Sequence, residues 1–438
     1  MREVAGRVPA PLRRARTAVS AIFFVHGAIF ASWAARVPAV QDGLGLSAGV
    51  LGLVLAGPGL GALIGSQAGG LLVRRLGSRT VSALAPVVLC LPLGLVPTVH
   101  SAWSLMGVLL LLGAADGCTS VAMNAQAVFV QGQYGRAVLN SMHAIRSIGA
   151  VAGGLAGVAT ASLGMTLTAQ FVSVAVLLAV VSAVAACGLQ PDGEQARQPA
   201  CPGPGDQATA VEETETAEGS AGPGEPGART VSGRLPDADG RAPAGGRPNR
   251  RLTVALLALM TFLAALVEDA PASWSGVYLR HVGADAAMAA AGYAAFSAGS
   301  VVTRLFNDWL VDRLGWVRLI RIGTLCCAAV LTIALLLGRP GITLAALVVA
   351  GAGISAVFPG AFTAAGALPD SARVMGHVGF AGNLGWLLVS PIIGGLSTVV
   401  GLPTALGLLA VAAVIIAGLA PVTCSVAPAR TQERQAVP

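Results

Sequence analysis

The sequence predicts an all-α membrane protein with twelve transmembrane helices in two pseudo-symmetric six-helix bundles. Three observations predict it: 55% of the 438 residues are hydrophobic and 11% are charged, long apolar stretches recur along the chain, and the second half repeats spacings of the first. An ordinary soluble domain is about one quarter charged. The composition therefore argues against a soluble globular enzyme.

A membrane-spanning helix needs about 20 predominantly apolar residues, and twelve stretches meet this requirement. The first follows Arg13, Arg14 and Arg16, so a cleaved signal peptide is an alternative for it, but cleavage would leave an odd number of spans. The approximate limits are 18–36, 47–73, 80–99, 103–129, 142–163 and 165–188 in the first half, and 252–279, 286–311, 319–338, 341–366, 375–398 and 401–423 in the second.

The chain divides into five parts along these limits. Residues 189–251, between the two groups of spans, are rich in Pro, Gly, Ala and Glu and cannot bury a core, which predicts a disordered linker. The linker holds ten of the twenty acidic residues, so the few acids within spans are informative. The predicted parts are an N-terminal tail (1–17), a six-helix bundle (18–188), the linker (189–251), a second six-helix bundle (252–423) and a C-terminal tail (424–438).

Arginine provides all 27 basic residues and gives the chain a net charge of +7. The arginines stand in short clusters between apolar runs, not along one basic surface, so the membrane is the expected partner and nucleic acid is not. Cytoplasmic loops carry the excess of basic residues. In a twelve-span topology the clusters share one side with the N-terminal tail, which predicts that both termini and the linker are cytoplasmic; the clusters are Arg74/Arg75/Arg79, Arg136 and Arg313/Arg318/Arg321.

The two halves resemble each other in spacing. Trp33 precedes Gly77 by 44 residues, and Trp274 precedes Gly315 by 41. Each glycine follows a leucine in a basic loop after the second span of its half. Parallel six-helix repeats of this kind are typical of one large transporter architecture.

The two basic loops resemble the signature of the major facilitator superfamily, Gly-x-x-x-Asp-Arg-x-Gly-Arg-Arg. The first copy runs from Gly70 to Arg79 with arginine at position 74, and the second runs from Asp308 to Arg318. Arg304, Asp308 and Asp312 follow at helical spacing and can pair with one another or with span 5, although a solvated helix end is the alternative. The predicted cytoplasmic gate comprises Gly70, Arg74, Arg75, Gly77, Arg79, Arg304, Asp308, Asp312, Arg313 and Gly315.

Further motifs are similar to a bacterial inner-membrane subgroup distantly related to fucose permease. They are Phe24-x-x-Gly27 with Ser32-Trp33-Ala-Ala-Arg36-Val-Pro38, Met123-Asn124-Ala-Gln126 with Gly135-Arg136, His143 with Ser147-x-Gly149, and the segment from Glu268 to Arg280. The resemblance implies a secondary transporter that works by alternating access, with spans 1, 4, 7 and 10 around a central cavity. One fold hosts many functions, so the substrate does not follow.

Three carboxylic acids lie near the middle of predicted spans, where an ionised group is costly. Asp116 is on span 4, and Glu268 and Asp269 are on span 7. Such groups can carry a coupling proton, because burial favours the neutral form and a nearby cation favours the charged one. The alternative is a carboxylate held permanently by neighbouring donors.

Polar and aromatic residues on the same spans are candidates for the substrate cavity. For the tryptophans an interfacial anchor is the alternative, and for the amides an interhelical hydrogen bond. The candidates are His26, Trp33, Arg36, Asn124, Gln126, Trp274 and Asn383.

The predicted function is proton-coupled movement of a small solute, with import of a sugar or other polar metabolite as the first hypothesis. The alternatives are proton-driven efflux of a hydrophobic compound and a non-transporting membrane sensor. Seven cysteines without a C-x-x-C motif indicate no metal site or disulfide framework, and we expect no enzymatic activity, cofactor or nucleic-acid partner. The expected partners are membrane lipid, protons and a small-molecule substrate, and the protein is expected to be monomeric.

Overall fold

The computed structural model describes residues 9–134, 138–191 and 250–423, without the side chains of Asn140, Asp308 and Ala372. Residues 192–249, which make up most of the predicted linker, and both chain ends lie outside the described residues. Arg136 of the predicted cytoplasmic clusters also lies outside them.

Helices make up the described chain almost completely, and they form twelve spans that are long and apolar enough to cross a membrane. The helices are α1 (Ala10–Ala34), α2 (Val37–Leu44), α3 (Ala48–Val54), α4 (Gly57–Leu76), α5 (Ser78–Leu95), α6 (Ala102–Tyr134), α7 (Leu139–Ser162), α8 (Leu167–Ala186), α9 (Arg250–His281), α10 (Ala286–Leu337), α11 (Pro340–Ile354), α12 (Val357–Gly366), α13 (Ser371–Val400) and α14 (Leu402–Leu419).

The spans are numbered 1 to 12 along the chain. Helices α3 and α4 together form span 2, α11 and α12 form span 10, and α10 contains both span 8 and span 9. The break in α10 is at Gly315, which has φ 72°, and Gly77 between spans 2 and 3 has φ 85°. Glycine adopts positive φ without steric cost. The spacing match between the halves therefore corresponds to the same sharp turn in each half.

Close helix crossings rely on small residues and occur in equivalent places in both halves. Span 1 packs on span 5 and span 7 on span 11, while span 2 packs on span 4 and span 8 on span 10. A Cβ atom added at Gly61 would overlap the carbonyl oxygen of Leu110, and one at Gly299 would overlap that of Val348. Small residues allow this backbone approach in membrane proteins, and the predicted pseudo-symmetry of the two bundles is confirmed.

The two halves pack closely against each other at one end of the helices. We call the face where span 1 begins the N-side and the opposite face the far side. On the far side a Cβ at Gly52 of span 2 would lie 2.7 Å from Cα of Gly394 of span 11, and one at Gly276 would lie 2.7 Å from Cγ of Pro38.

On the N-side the same two helices present open surface. A Cβ at Gly70 of span 2 or Gly376 of span 11 would meet no atom within 4 Å, and Arg74 and Arg373 are exposed. The space between the halves is therefore reached from the N-side and closed on the far side.

Candidate functional site

The first half holds three connected polar side chains near the middle of its helices. The His26 side chain on span 1 is 4% exposed, and its Nε2 lies 2.9 Å from Oδ1 of Asp116 on span 4. The Nδ1 atom of the same ring accepts a hydrogen bond of 3.0 Å from Nε of Arg146 on span 5. One imidazole ring thus joins three helices.

The partners of His26 assign its protonation. A guanidinium group only donates, so Nδ1 is unprotonated and the neutral ring carries its proton on Nε2, on the side of Asp116. Nδ1 is unable to take a second proton while the bond to Arg146 lasts.

The second half places its own charges at similar depth. Arg304 of span 8 forms an ion pair with Glu268 of span 7. The neighbouring Asp269 lies within electrostatic range of Tyr293 on span 8. Among the described side chains, no basic group lies within 4.0 Å of the Asp269 carboxylate. Of the three predicted proton carriers, Asp269 is the one without a cationic partner there.

Contacts across the halves join the two groups into one central site. Arg304 Nη1 donates to Oγ of Ser147 on span 5 at 3.4 Å, and Phe30 meets Tyr293 edge-on with ring centroids 6.3 Å apart. The exposed His143 lies within range of the charges of Arg146 and Arg304. The side chains of Asp116 and Arg304 are 30% and 39% exposed, so solvent reaches part of the site.

Glycines explain how spans 1 and 5 come close enough for the His26–Arg146 contact. A Cβ at Gly27 would overlap the Arg146 carbonyl oxygen, and a Cβ at Gly149 would overlap that of Phe24. The backbones of spans 1 and 5 are therefore in contact beside His26. The site depends on these crossings as much as on its charged groups.

Several predicted cavity residues lie outside the central site. Trp33 is 2% exposed and packs on Phe171, with ring centroids 6.4 Å apart, and Trp274 is 1% exposed among apolar side chains. Both tryptophans were predicted either to line the cavity or to anchor the helix at the membrane surface. Each ring is instead buried inside its own half, so neither tryptophan is placed to do so.

The polar side chains on spans 1, 4 and 11 that were predicted to line the cavity make no contact with the central site. Gln126 is fully buried and donates to Ser78 Oγ at 2.8 Å, and Asn124 donates to the Ser120 carbonyl of its own helix at 2.8 Å. Asn383 is exposed. Arg36 is at the far-side end of span 1, away from His26, and donates to the Met165 carbonyl at 2.9 Å.

The predicted gate divides into two groups. Arg304 belongs to the central site, because its side chain forms an ion pair with Glu268 of span 7. Asp312 is exposed and, among the described side chains, has no ion pair, whereas Arg304 contacts Ser147 of span 5. The Asp308 side chain lies outside the described residues. Arg74, Arg75, Arg79 and Arg313 are exposed around the turns at Gly77 and Gly315.

Sequence reasoning missed Arg146, His143 and Tyr293 as site residues. The predicted limit of span 5 at residue 142 put Arg146 close to a helix end, where arginine is common. The helix instead begins at Leu139, so Arg146 lies two turns inside it. The sequence did contain a signal for this position, because Arg146 is followed by a stretch rich in glycine and alanine that allows close helix packing. In the described part of the chain, no group of three or more His, Cys, Asp or Glu side chains is placed to hold a metal ion.

Replacement of Arg304 by glutamine tests the ion pair in the second half. We expect a loss of about 1–3 kcal/mol in the free energy of unfolding, because Glu268 loses its partner; the loss is below the ~3–5 kcal/mol of a fully buried pair since Arg304 is partly exposed. Thermal unfolding in detergent measures it. The double variant Arg304→Gln/Glu268→Gln should recover most of the loss, and a double variant less stable than Arg304→Gln would contradict the pairing.

Comparison with known proteins gives matches over most of the chain. A family model described as Major Facilitator Superfamily matches residues 18–365, with a second match over 257–436. An uncharacterised MFS-type transporter of Yersinia pestis is 29% identical over 83% of this chain and 84% of its own length. An uncharacterised transporter of Sinorhizobium fredii is 30% identical over 80% and 81%, and the membrane protein MosC of Rhizobium meliloti is 25% identical over 92% and 88%.

Solved structures with the same architecture cover almost the whole chain. The nucleoside transporter NupG superposes with a TM-score of 0.67 at 14% identity, covering 94% of this chain and 99% of its own. A D-xylose-proton symporter gives 0.69 at 13%, covering 94% and 97%. A bacterial homologue of the human lysosomal transporter Spinster, inward-facing and unoccupied, gives 0.66 at 15%, covering 96% and 98%. At these identities the likeness shows the fold alone.

Proposed function

The chain belongs to the Major Facilitator Superfamily, and from that premise we propose that it is a secondary active transporter that moves a small polar solute by alternating access and couples this movement to protons. Membership establishes a multi-pass membrane transporter fold. Solute, coupling ion and direction are the parts that we propose. The more specific similarity to fucose permease stays a prediction.

The observation that carries the proposal is the central site, which is open at one face and closed at the other. Its charged groups come from spans 1, 4, 5, 7 and 8, that is, from both halves. Movement of one half against the other changes these contacts and exchanges the open face. A ligand that bridges the halves therefore binds the two access states differently, as alternating access requires.

Asp116, Glu268 and Asp269 are the groups proposed to take up the coupling proton. Asp116 lies against His26 and Glu268 pairs with Arg304, so protonation weakens the contact with His26 in the first case and frees the cation of Arg304 in the second. Asp269 has no such partner among the described side chains, so an ionised Asp269 is costly in the membrane and a neutral one is not. Proton binding would in each case alter how the two halves attract each other.

A polar solute fits the site better than a hydrophobic one. Two arginines, three carboxylic acids, two histidines, Tyr293 and Ser147 offer many donors and acceptors around one space. The structural neighbours include proteins described as a nucleoside transporter and a D-xylose-proton symporter. We therefore favour a sugar, nucleoside or similar polar metabolite over a hydrophobic efflux substrate.

Flux measurements on the purified protein in proteoliposomes test this function. Compounds are first selected by thermal stabilisation, because a ligand that binds only the folded state raises stability by mass action. A selected polar compound should then accumulate when the pH gradient is imposed and not when it is absent. Binding without any flux would identify a membrane sensor, and gradient-driven flux restricted to hydrophobic compounds would identify the efflux alternative.

The proposed arrangement in the cell places the N-side, both termini and the 189–251 linker in the cytoplasm, with the two helical bundles at 18–188 and 252–423 acting as a monomer. In a variant with the other cysteines replaced, a membrane-impermeant thiol reagent should leave Cys201 of the linker unlabelled in intact cells. Asp42→Cys, a far-side position whose side chain is 65% exposed, is the control that should label. Labelling of Cys201 with protection of position 42 would reverse the topology.

A further inference from the structure

Arg146 carries a charge inside the membrane with which no carboxylate of the described chain pairs directly. The residue is half-buried on span 5, two turns inside the helix. In the described part of the chain, no acidic side chain lies within 4.0 Å of its nitrogens. An ionised group at this depth is costly, so one that is left without a direct countercharge indicates a functional role.

The hydrogen bonds of Arg146 leave one edge of its guanidinium group available. Nε donates to Nδ1 of His26 at 3.0 Å. Nη1 and Nη2 have no acceptor among the described residues, and neither atom is buried. Asp116 lies against the other nitrogen of the His26 ring, so the imidazole separates its carboxylate from the guanidinium. Nη1 and Nη2 are therefore an accessible pair of donors.

The neighbours of Arg146 belong to both halves of the protein. Its charge lies within electrostatic range of His143, one turn earlier in span 5, and of Tyr293 on span 8. Residues three or four apart share a helix face, so the exposed His143 lies on one face with Arg146 and Ser147. Arg304 of span 8 contacts Ser147. This turn of span 5 therefore faces the second half.

We propose that Arg146 binds the carboxylate of the solute through Nη1 and Nη2. The proposal rests on the proposed function and narrows its small polar solute to a carboxylic acid. A guanidinium group matches a carboxylate with two parallel hydrogen bonds, and one negative charge balances it. The described part of the chain supplies no such partner for Arg146, whereas it supplies Glu268 for Arg304.

A carboxylate with one charge fits this site better than a phosphate group. Guanidinium groups also bind phosphate, but a phosphate ester carries about two negative charges at neutral pH. The second arginine of the site, Arg304, is already paired with Glu268. Asp116 lies within electrostatic range of Arg146, and Asp269 within range of the same tyrosine as Arg146. These acids disfavour a second negative charge on the solute.

Thermal unfolding of the purified protein in detergent tests the inference with metabolite carboxylates, each measured beside its neutral amide. Nicotinate with nicotinamide and D-glucuronate with D-glucuronamide are two of the pairs. At least one carboxylate should raise the midpoint by several degrees where its amide does not, because only the charged form pairs with Arg146. Arg146→Gln should remove this rise. Arg339→Gln, which removes an exposed far-side arginine, is the matched control and should keep it.

Arg146→Lys tests the contact through two nitrogens and replaces Arg146→Gln if that variant does not fold. Lysine keeps the charge but offers no parallel pair of donors, so it should bind the same carboxylate about 10-fold more weakly. Equal affinity in wild type and Arg146→Lys would overturn the proposal. So would a panel in which no carboxylate stabilises more than its amide, a rise that persists in Arg146→Gln, or a response to phosphate esters alone.

Flux in proteoliposomes separates failure of this inference from failure of the proposed function. Accumulation of neutral sugars or nucleosides under an imposed pH gradient, without any response to carboxylates, would overturn the inference and leave proton-coupled transport in place. Binding of a carboxylate that depends on Arg146, without flux of any compound, would support the binding site and overturn the transport function.

Discussion

Asp116→Asn is expected to abolish proton-driven accumulation of solute while exchange of solute across the membrane continues. Asparagine keeps an oxygen for the contact with His26 but takes up no proton, so the site stays in its neutral form. A gradient of one pH unit is worth about 1.4 kcal/mol, which for one proton per solute gives ~10-fold accumulation. The variant should fall to about onefold, measured in proteoliposomes with an imposed pH gradient.

Glu268→Gln should have the same effect, and Asp285→Asn is the matched control. Asp285 is a carboxylate at the far-side start of span 8, where it accepts a hydrogen bond from the Met288 N–H, and asparagine preserves that cap. Its accumulation should equal that of wild type. Normal accumulation by both Asp116→Asn and Glu268→Gln would mean that these carboxyls only hold the structure together, and it would remove the present assignment of the coupling site.

Gly52→Val is expected to hold the far side open and to stop transport. A Cβ at this position would lie 2.5 Å from the Ser390 carbonyl oxygen and 2.7 Å from Cα of Gly394, both on the other half, and backbone is unable to move aside as a flexible side chain does. The halves must therefore separate there. Ser390 is 1% exposed in the closed arrangement. The variant Ser390→Cys should therefore be protected from a water-soluble thiol reagent in detergent, and it should become reactive when Gly52→Val is added.

Gly395→Val is the control on the opposing span, since a Cβ there meets no atom within 4 Å. It should transport normally and leave Ser390→Cys protected. If Gly52→Val also transports at the wild-type rate with position 390 protected, the far-side contact is not a gate.

The number of spans and the repeat between the two halves were predictable because each depends on local chemistry. A stretch of about twenty apolar residues has to cross the membrane as a helix, and the leucine-glycine turns at Gly77 and Gly315 mark equivalent points in both halves. The exact ends were less certain, because polar residues such as Arg146 continue a helix beyond its apolar stretch.

The central site was predictable only in part. Asp116, Glu268 and His26 were found because an ionisable group inside an apolar helix is costly and needs a reason. Their partners depend on how helices cross, which one sequence does not reveal: His26 meets Arg146 because Gly27 and Gly149 let two backbones approach. Tryptophan and glutamine were misplaced for the same reason, since Trp33 and Gln126 turn towards neighbouring helices of their own half.

The matching turns at Gly77 and Gly315 indicate how the chain arose. Their backbone angles agree closely, with φ 85° and ψ 153° at the first and φ 72° and ψ 157° at the second, although the residues that follow, Ser78 and Trp316, are unrelated. A duplicated ancestral gene accounts for this, because selection retains a glycine that no other residue can replace while neighbouring side chains diverge. Each copy then evolves separately, and neither glycine compensates for loss of the other.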